Sequence, residues 1–257
     1  MTRVIAVSNL KGGSAKTTTT AALGWELARL GKVVVLVDVD GQGHLAESFG
    51  IEAMALKKTI ADLFLGTTSL RDVLIQIKDN PNLALIPSNL TLATLEPQLI
   101  YMVGRENKLK RIVQPLREGG QVDFVLIDCP PSVGIYTVNA FAAADEVLIP
   151  MTAEFFALTG VSMLLQQLDQ VRLGLEHKIT VTGVVPTRVT HTNNAREVIE
   201  QAKIKIPVPF FSSIPESVAV REATIAGQVV TEYAPGNPAA LAYHQVALEV
   251  LNGKTES

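Results

Sequence analysis

The sequence predicts an α/β fold: a doubly wound, mostly parallel sheet flanked by helices. Short β-branched runs alternate with longer amphipathic segments, the pattern of parallel strands joined by helices. Several of these runs are apolar at every position, as expected of strands covered on both faces. No Ser/Gly-rich linker or internal repeat divides the chain. We therefore expect one domain covering residues 1–257.

The predicted elements follow from these patterns in chain order. The first helix should run from about Lys16 to Leu30, because its leucines share a face and Gly31 suits a C-terminal cap. Trp25 falls off that face, so we expect it to be partly exposed. The Pro-rich stretch Ile206–Pro209 predicts a connector or a short edge strand. The candidate strands are Val4–Ser8, Val33–Asp38, Leu83–Pro87, Phe124–Asp128, Glu146–Pro150 and Thr180–Val185.

The end of the chain has a helical pattern over Leu241–Leu251. It lacks the Lys/Arg-rich polar face of a helix that lies on a membrane surface. The last ~6 residues, Asn-Gly-Lys-Thr-Glu-Ser, are expected to form a flexible tail. We also expect no DNA-reading segment before Arg3, which argues against a sequence-specific repressor.

Composition limits the classes of function. Apolar residues make up 47% and charged residues 18%, which argues against disorder. The net charge of −3 does not indicate a strongly basic nucleic-acid binder, although it permits a local basic patch. The single cysteine, Cys129, excludes a disulfide framework within the chain. No signal peptide is recognisable and no run approaches the ~20 apolar residues of a membrane span, so we expect a cytoplasmic protein.

A phosphate-binding loop is predicted at Lys11–Thr18, between the first strand and the first helix. Lys16 can contact the β- and γ-phosphates, and the hydroxyl of Thr17 can ligate Mg²⁺. Gly12 and Gly13 let backbone N–H groups turn toward an anion, which the following helix N-terminus also favours. Such a loop indicates a fold of the P-loop NTPase type.

Three positions of this loop are unusual. Leu10 and Ala15 stand where the strict Gly-x4-Gly-Lys-Ser/Thr pattern has its two glycines. Lys11 adds a second lysine. Two lysines of one subunit do not easily contact the same phosphates. We therefore predict that Lys11 acts on the nucleotide of a neighbouring subunit.

Carboxylates end two of the predicted strands. Asp128 closes the run Phe124–Ile127, where a carboxylate near the phosphate loop is suited to hold Mg²⁺ directly or through water. Asp38 and Asp40 end the second strand and point to the same side of it. Asp40 is the candidate to orient the attacking water, and Asp38 has a supporting role. Simple capping of the strand ends is the alternative, and it suits Asp38 better than Asp40.

These segments resemble the ParA/MinD family of ATPases. Lys11–Thr18 is similar to the family's deviant Walker A motif, Val37–Gly43 to its second acidic motif and Ile127–Ser132 to its Walker B strand. The likeness covers nearly the whole chain and is closer to ParA-type partition proteins than to MinD. The further segments that carry it are Ile86–Ser88, Asn139–Pro150, Glu154–Leu158, Ile214–Pro215 and Gly227.

The resemblance implies an ATP-sandwich homodimer that binds ATP and Mg²⁺ and hydrolyses ATP. The catalytic residues would be Lys11, Lys16 and Asp40, with Lys11 reaching the partner's phosphates. The metal would be held by Thr17, Asp40 and Asp128, and Glu154 would lie at the dimer interface or cap a helix. The nucleotide would contact Lys11, Gly12, Gly13, Ser14, Ala15, Lys16, Thr17, Thr18, Thr187, Arg188 and Pro215.

The resemblance also implies partners and a location. ATP dimers of this kind bind DNA without sequence preference, a ParB-like or other adaptor stimulates hydrolysis, and the protein is associated with the nucleoid rather than a membrane. The cargo would be a plasmid, a chromosome or another large body. Candidate DNA contacts are Arg188, Arg196, Lys203 and Arg221, near Lys205. A second basic group, Arg105, Lys108, Lys110 and Arg111, is either a DNA contact or a solvated helix face.

Three departures from the family pattern qualify the resemblance. Ala15 brings a Cβ into the phosphate loop, and Gly41 replaces the usual proline after Asp40, which would loosen that loop. Ala219 falls where many ParA proteins carry a DNA-contacting arginine, and Arg221 lies two residues further on.

Three other functions remain as alternatives. One is a MinD-like membrane-associated ATPase that regulates spatial organisation. Another is a reductase of the nitrogenase iron-protein kind, which requires paired thiolates that one cysteine does not supply. The third is a nucleotide sensor without turnover.

Overall fold

A computed structural model describes residues 1–154 and 157–253 of the chain. A seven-stranded sheet with the order β3-β4-β2-β5-β1-β6-β7 forms its centre. Only the edge pair β3–β4 is antiparallel, so the predicted mostly parallel sheet is confirmed. The strands are β1 (Arg3–Val7), β2 (Val34–Asp38), β3 (Ile75–Gln76), β4 (Leu83–Ile86), β5 (Phe124–Asp128), β6 (Glu146–Thr152) and β7 (Thr180–Thr187).

Helices cover both faces of this sheet. The described residues contain α1 (Lys16–Arg29), α2 (His44–Glu47), α3 (Ile60–Leu65), α4 (Leu70–Val73), α5 (Leu90–Leu99), α6 (Lys108–Glu118), α7 (Ile135–Ala143), α8 (Ala157–Gly174), α9 (Asn193–Lys205), α10 (Val218–Ile225), α11 (Val230–Tyr233) and α12 (Pro238–Asn252), with short 3₁₀ turns at Ala53–Ala55 and Arg105–Asn107. Among these residues no helix is long and apolar enough to cross a bilayer.

Every predicted strand is present, and its bounds differ from the prediction by two residues at most. The edge strand β3 was not predicted, because two residues are too few for a hydrophobic period. The Pro-rich stretch is a connector: Val184 N–H donates to Pro209 O at 2.8 Å, and Phe210 forms an isolated bridge beside β7. Most of the predicted C-terminal tail, and Phe155 and Phe156 of the Glu154–Leu158 motif, lie outside the described residues.

The prediction for Trp25 was wrong. Its side chain is 6% exposed and packs in the apolar layer that contains Leu23 and Leu27. The helix α1 lies between the sheet and α12, whose Tyr243 is 1% exposed and reaches Thr19. Both sides of α1 are therefore covered, which the spacing of its leucines does not reveal.

The register of the three central strands positions the site. Asp128 at the end of β5 lies opposite Val7 of β1 on one side and Asp38 of β2 on the other. Because these strands are parallel, the loops that follow them all emerge at the same edge of the sheet. That edge, at the carboxyl ends of the strands, is where ligands bind in open α/β sheets.

Candidate functional site

The phosphate loop joins β1 to α1 and leaves the start of the helix open. Gly13 has φ 73°, and Ala15, at the helix N-cap, has φ 65° and makes no side-chain capping bond. The first N–H groups of α1 are thus available to an anion. The Ala15 Cβ is accommodated, but a left-handed alanine costs roughly 1–2 kcal/mol. Gly12 has open space around it.

Lys16 turns into the protein. It is 7% exposed, and its Nζ donates to the Lys11 carbonyl oxygen at 3.3 Å. Burial lowers the pKa of Lys16, while the neighbouring Asp128 and Asp40 act in the opposite direction. The ammonium therefore faces two carboxylates in a site that water barely reaches, where its charge acts strongly on a bound phosphate.

Asp128 has one satisfied and one unsatisfied oxygen. Thr20 Oγ1 donates to Oδ1 at 3.3 Å, whereas Oδ2 is buried with no hydrogen-bond partner among the described residues. Burial raises the pKa of Asp128 to about 7, and the Thr17 hydroxyl and Lys16 hold it below what burial alone would give. A buried, unpaired carboxylate oxygen is costly unless a ligand or water completes it.

Two oxygen atoms near the phosphate loop fit Mg²⁺ as ligands. The free oxygen of Asp128 and the Thr17 hydroxyl are hard oxygen ligands, the kind that Mg²⁺ prefers. Within residues 1–154 and 157–253, no cluster of three His, Cys, Asp or Glu side chains has the geometry of a metal site. Mg²⁺ keeps several waters and takes further oxygens from substrate phosphates, so two protein ligands suit it.

Asp38 holds the loop that follows β2. It is fully buried, and its carboxylate accepts from Asp40 N–H at 2.9 Å and Leu45 N–H at 3.4 Å. Burial, reinforced by Asp128, raises the pKa of Asp38 well above its usual range. These bonds match the capping interpretation of Asp38.

Asp40 lies on the same loop, and one oxygen of its carboxylate accepts a backbone hydrogen bond. Its Oδ1 accepts from Gln42 N–H at 3.0 Å, and its charge affects the pKa values of both Lys16 and Asp128. Gly41 beside it is packed closely: a Cβ there would lie 3.0 Å from the Cβ of Ala93. The missing side chain of Gly41 lets α5 approach the backbone, and a looser loop after Asp40 stays a prediction.

Lys11 turns away from the interior. Its Nζ donates to Thr152 Oγ1 at 3.4 Å and forms a short ion pair with Glu154 just beyond β6. Asn9 supports this arrangement, since Oδ1 accepts from Lys11 N–H at 3.0 Å and Nδ2 donates to Pro150 O at 2.7 Å. Glu154 also caps α8, but through its carbonyl oxygen, which accepts from Ala157 N–H.

A cavity of about 330 Å³ continues from the phosphate loop between α1, α10 and α12. Thr187 Oγ1 donates to Ser14 O at 3.1 Å and joins the end of β7 to the loop. Arg188, with φ 52°, forms an ion pair with Glu216 at 3.3 Å. The structure therefore brings these predicted nucleotide residues together on one cavity wall: Gly13, Ala15, Thr18, Thr187, Arg188 and Pro215.

Sequence reasoning missed several residues of the site. Tyr243 of α12 lines the cavity and its hydroxyl lies 3.3 Å from Thr19 Oγ1. Thr20, which bonds Asp128, and Asn9, which orients Lys11, were not singled out either. No signal in the sequence marks Tyr243, because it is more than 220 residues from its partner.

The predicted DNA contacts separate into two places. Arg188 and Arg221 line the cavity beside the phosphate loop. Arg196 and Lys203 are exposed on α9, where Lys203 pairs with Glu200 at 2.8 Å. Of the second basic group, Arg105 pairs with Glu106 and Lys108 donates to Phe64 O at 2.8 Å.

Comparisons with known proteins agree with this architecture. The model of a family described as "AAA domain" matches residues 2–181. A model of 4Fe-4S iron sulfur cluster binding proteins, the NifH/frxC family, matches residues 119–256. The one cysteine, Cys129, is buried and does not provide the paired thiolates of such a cluster, so we interpret the second match as likeness of fold.

Two curated relatives and one solved structure show the extent of the similarity. The chain is 36% identical to the sporulation initiation inhibitor protein Soj of Bacillus subtilis, over 97% of this chain and 98% of that protein. It is 34% identical to the chromosome partitioning protein ParA of Caulobacter vibrioides, over 97% and 94%. A Mycobacterium smegmatis structure described as cobyrinic acid a,c-diamide synthase, with bound ATP analogue and magnesium, superposes with a TM-score of 0.86 at 32% identity, over 98% and 95%.

Proposed function

The chain belongs to the ParA/MinD family of P-loop ATPases, and we propose that it is a ParA-type member. In this proposal an ATP-bound homodimer of single-domain subunits binds nucleoid DNA without sequence preference and positions a large cargo. A ParB-like or other partner stimulates ATP hydrolysis and releases the dimer. The observation that carries the proposal is that the buried Lys16 and the unsatisfied Asp128 oxygen lie at one site beside an open helix N-terminus.

The inner part of the site supports Mg-ATP binding. Lys16 and the N–H groups of α1 would hold the phosphates, and Thr17 and Asp128 would hold Mg²⁺. Bound Mg²⁺ would neutralise charge that develops on the phosphates during hydrolysis. The adenosine part would occupy the cavity walled by Thr187 and Tyr243.

Asp40 is the residue that we propose to orient the attacking water. Its Oδ1 accepts one backbone bond, and Asp38 fixes the turn that carries it. Phosphoryl transfer depends mainly on positioning and electrostatics, so one held carboxylate suffices. Asp40 would also contribute to the Mg²⁺ site through bound water, since it lies close enough to affect the pKa of Asp128.

We propose that Lys11 exchanges its partner when ATP is bound. In the single chain its ammonium is paired with Glu154, whereas the Lys16 ammonium contacts the Lys11 carbonyl oxygen. In the dimer it would reach the partner subunit's phosphates, whose higher charge density competes with a half-exposed carboxylate. This exchange would link nucleotide state to dimer formation.

The helix α9 is the DNA surface that we favour. Arg196 and Lys203 are about two turns apart and share an exposed face, whereas Arg188 and Arg221 lie at the nucleotide cavity. A single copy of this face offers few cations, and acidic residues reduce its charge. Two copies in a dimer would double the phosphate contacts, which gives ATP control of DNA binding a physical basis.

DNA binding across a salt series tests the proposal. We expect a labelled duplex of random sequence to bind with ATP but not with ADP or without nucleotide, and to dissociate as salt rises. Replacing Arg196 and Lys203 together by glutamate should abolish binding, whereas Lys178→Glu, at the exposed amino end of β7, should not. Equal binding in all nucleotide states would overturn the proposal. ATP-dependent binding to anionic vesicles instead of DNA would favour the MinD-like alternative.

A further inference from the structure

Asn9 lies between the end of β1 and the phosphate loop and is fully buried. Its amide makes two hydrogen bonds: Oδ1 accepts from Lys11 N–H at 3.0 Å, and Nδ2 donates to Pro150 O at 2.7 Å. These partners fix the orientation of the amide, because a backbone N–H only donates and a carbonyl oxygen only accepts. A buried amide that is satisfied in this way is rigid. Asn9 therefore ties the backbone of Lys11 to β6.

The same strand end holds the side chain of Lys11 by separate contacts. Its Nζ donates to Thr152 Oγ1 at 3.4 Å and forms the ion pair with Glu154. The side chain of Glu154 is 57% exposed, whereas Asn9 is out of contact with water. An exposed ion pair is weak. The outer contact can therefore break while the inner one stays intact.

The backbone of Lys11 also contacts the inner lysine. Lys16 Nζ donates to the Lys11 carbonyl oxygen at 3.3 Å. The N–H of Lys11 is thus held by Asn9, and its carbonyl oxygen by Lys16. The Lys11 backbone is a fixed point of the loop, from which only its side chain is able to swing.

The helix α8 packs against this fixed point at a glycine. A Cβ on Gly160 would lie 3.3 Å from Asn9 Oδ1 and 3.7 Å from the Lys11 Cβ. Glycine inside a helix is unfavourable compared with alanine, but here it lets α8 approach the buried amide. At the other end of the same helix, a Cβ on Gly174 would meet no described atom within 4 Å.

We propose that Asn9 is a positioning residue for ATP hydrolysis. It holds the Lys11 backbone in place, so that the Lys11 side chain pivots from Glu154 to the partner subunit's phosphates while its carbonyl oxygen stays beside Lys16. Without the amide, Lys11 has more conformations to lose when the dimer forms, and the dimer is weaker. This inference rests on the proposed function of Lys11.

A double-mutant cycle tests whether Asn9 acts through Lys11. Sedimentation with a non-hydrolysable ATP analogue and Mg²⁺ gives the dimer dissociation constant. Asn9→Ala should weaken the dimer by about tenfold in the original chain and by less than twofold in the Lys11→Ala variant, because both changes remove the same contact. A fluorescent ATP analogue should bind the single Asn9→Ala chain within threefold of its original affinity.

Asn80→Ala is the matched control for lost stability. Asn80 is 4% exposed, and its Nδ2 donates to Trp25 O at 3.3 Å, before the amino end of β4 and away from the phosphate loop. Loss of this buried amide should lower the resistance to urea as Asn9→Ala does. Asn9→Ala should also reduce kcat for ATP by about tenfold with KM within threefold, whereas Asn80→Ala should change neither.

The two glycines of α8 give a test without loss of a buried hydrogen bond. Gly160→Ala should weaken the dimer by about threefold, because its methyl group displaces the Asn9 amide. Alanine also favours the helix, which offsets the crowding, so the resistance to urea should change little. Gly174→Ala should leave the dimer unchanged.

The outcomes separate the role of Asn9 from the proposed function. Additive losses in the double variant, equal weakening of the dimer by Asn80→Ala, or an unchanged dimer in both Asn9→Ala and Gly160→Ala would overturn the positioning role. A loss of single-chain nucleotide affinity as large as the loss of dimerisation would overturn it too, since Asn9 would then support the whole loop. If the original chain forms no dimer with the ATP analogue, the proposed function falls as well.

Discussion

The two lysines of the phosphate loop lie five residues apart and have opposite environments. Lys16 is buried and faces the carboxylates of Asp128 and Asp40, whereas Lys11 extends to Glu154 beyond the end of β6. The inner lysine is buried in the fold, while the outer one is held by an ion pair with a half-exposed partner and a hydrogen bond to Thr152. This contrast is the basis of our proposal that Lys16 serves the nucleotide of its own subunit and that Lys11 changes partners.

The largest expected effect is at the inner lysine. Lys16→Ala removes a buried cation and leaves Asp128 uncompensated, so ATP affinity should fall by about 1,000-fold, or ~4 kcal/mol. Titration with a fluorescent ATP analogue measures it. Lys11→Ala is the matched control and should retain nucleotide binding by the single chain while it loses dimerisation or hydrolysis. Near-normal affinity of Lys16→Ala would contradict the assignment of the loop.

Asp40→Ala should have the next largest effect. Loss of the group that orients water should lower the steady-state rate of ATP hydrolysis by about 100-fold and leave a long-lived ATP dimer. Phosphate release and size-exclusion chromatography with ATP measure the two consequences. Asp40→Asn keeps the bond to Gln42 N–H and tests whether the charge is needed. Unchanged turnover in the alanine variant would remove Asp40 from hydrolysis.

Ala15→Gly should raise the free energy of unfolding and so test whether the phosphate loop is strained. Glycine relieves the left-handed strain at φ 65° but adds freedom to the unfolded chain. The net gain should be about 0.5–1 kcal/mol in the free energy of unfolding, measured in urea without nucleotide. Ala28→Gly, within the same helix, should lower that free energy by about 1 kcal/mol or more. If both variants lowered the free energy of unfolding, the phosphate loop would not be strained.

Glu154→Gln should have the smallest effect. An ion pair with one half-exposed member is worth up to ~1 kcal/mol, so releasing Lys11 should tighten the ATP dimer by about two- to fivefold. Sedimentation with ATP and Mg²⁺ measures the dissociation constant. Glu200→Gln, which breaks the exposed pair with Lys203, should leave the dimer unchanged. A weaker dimer in Glu154→Gln would mean that this carboxylate supports the interface instead of competing with it.

Elements with strong local patterns were predictable. The runs ending at Asp38 and Asp128 are apolar throughout, so both the strands and the carboxylates at their ends followed from the sequence. The loop before Lys16 was predictable because it lies between an apolar strand and a helical pattern and ends in Lys16-Thr17. Trp25 was placed wrongly, because the periodicity of α1 describes one covered face and α12 covers another.

Long-range partners were not predictable. Tyr243 meets Thr19, Asn9 meets Pro150, and Lys108 meets Phe64 of α3. Each contact joins segments far apart in the chain, and no local pattern specifies which helices become neighbours. The direction of the Lys11 side chain was not predictable either, because it depends on Glu154 lying beside the loop.

By itself the sequence determined the class of the sheet, the position of the phosphate loop and the types of residue that meet there. Those properties follow from backbone conformation and hydrophobic period, which are local. The tertiary structure alone decided that Lys16 is buried while Lys11 is outside, and that one oxygen of Asp128 is left for a ligand. These depend on the packing of distant elements, where burial sets the strength of every charge.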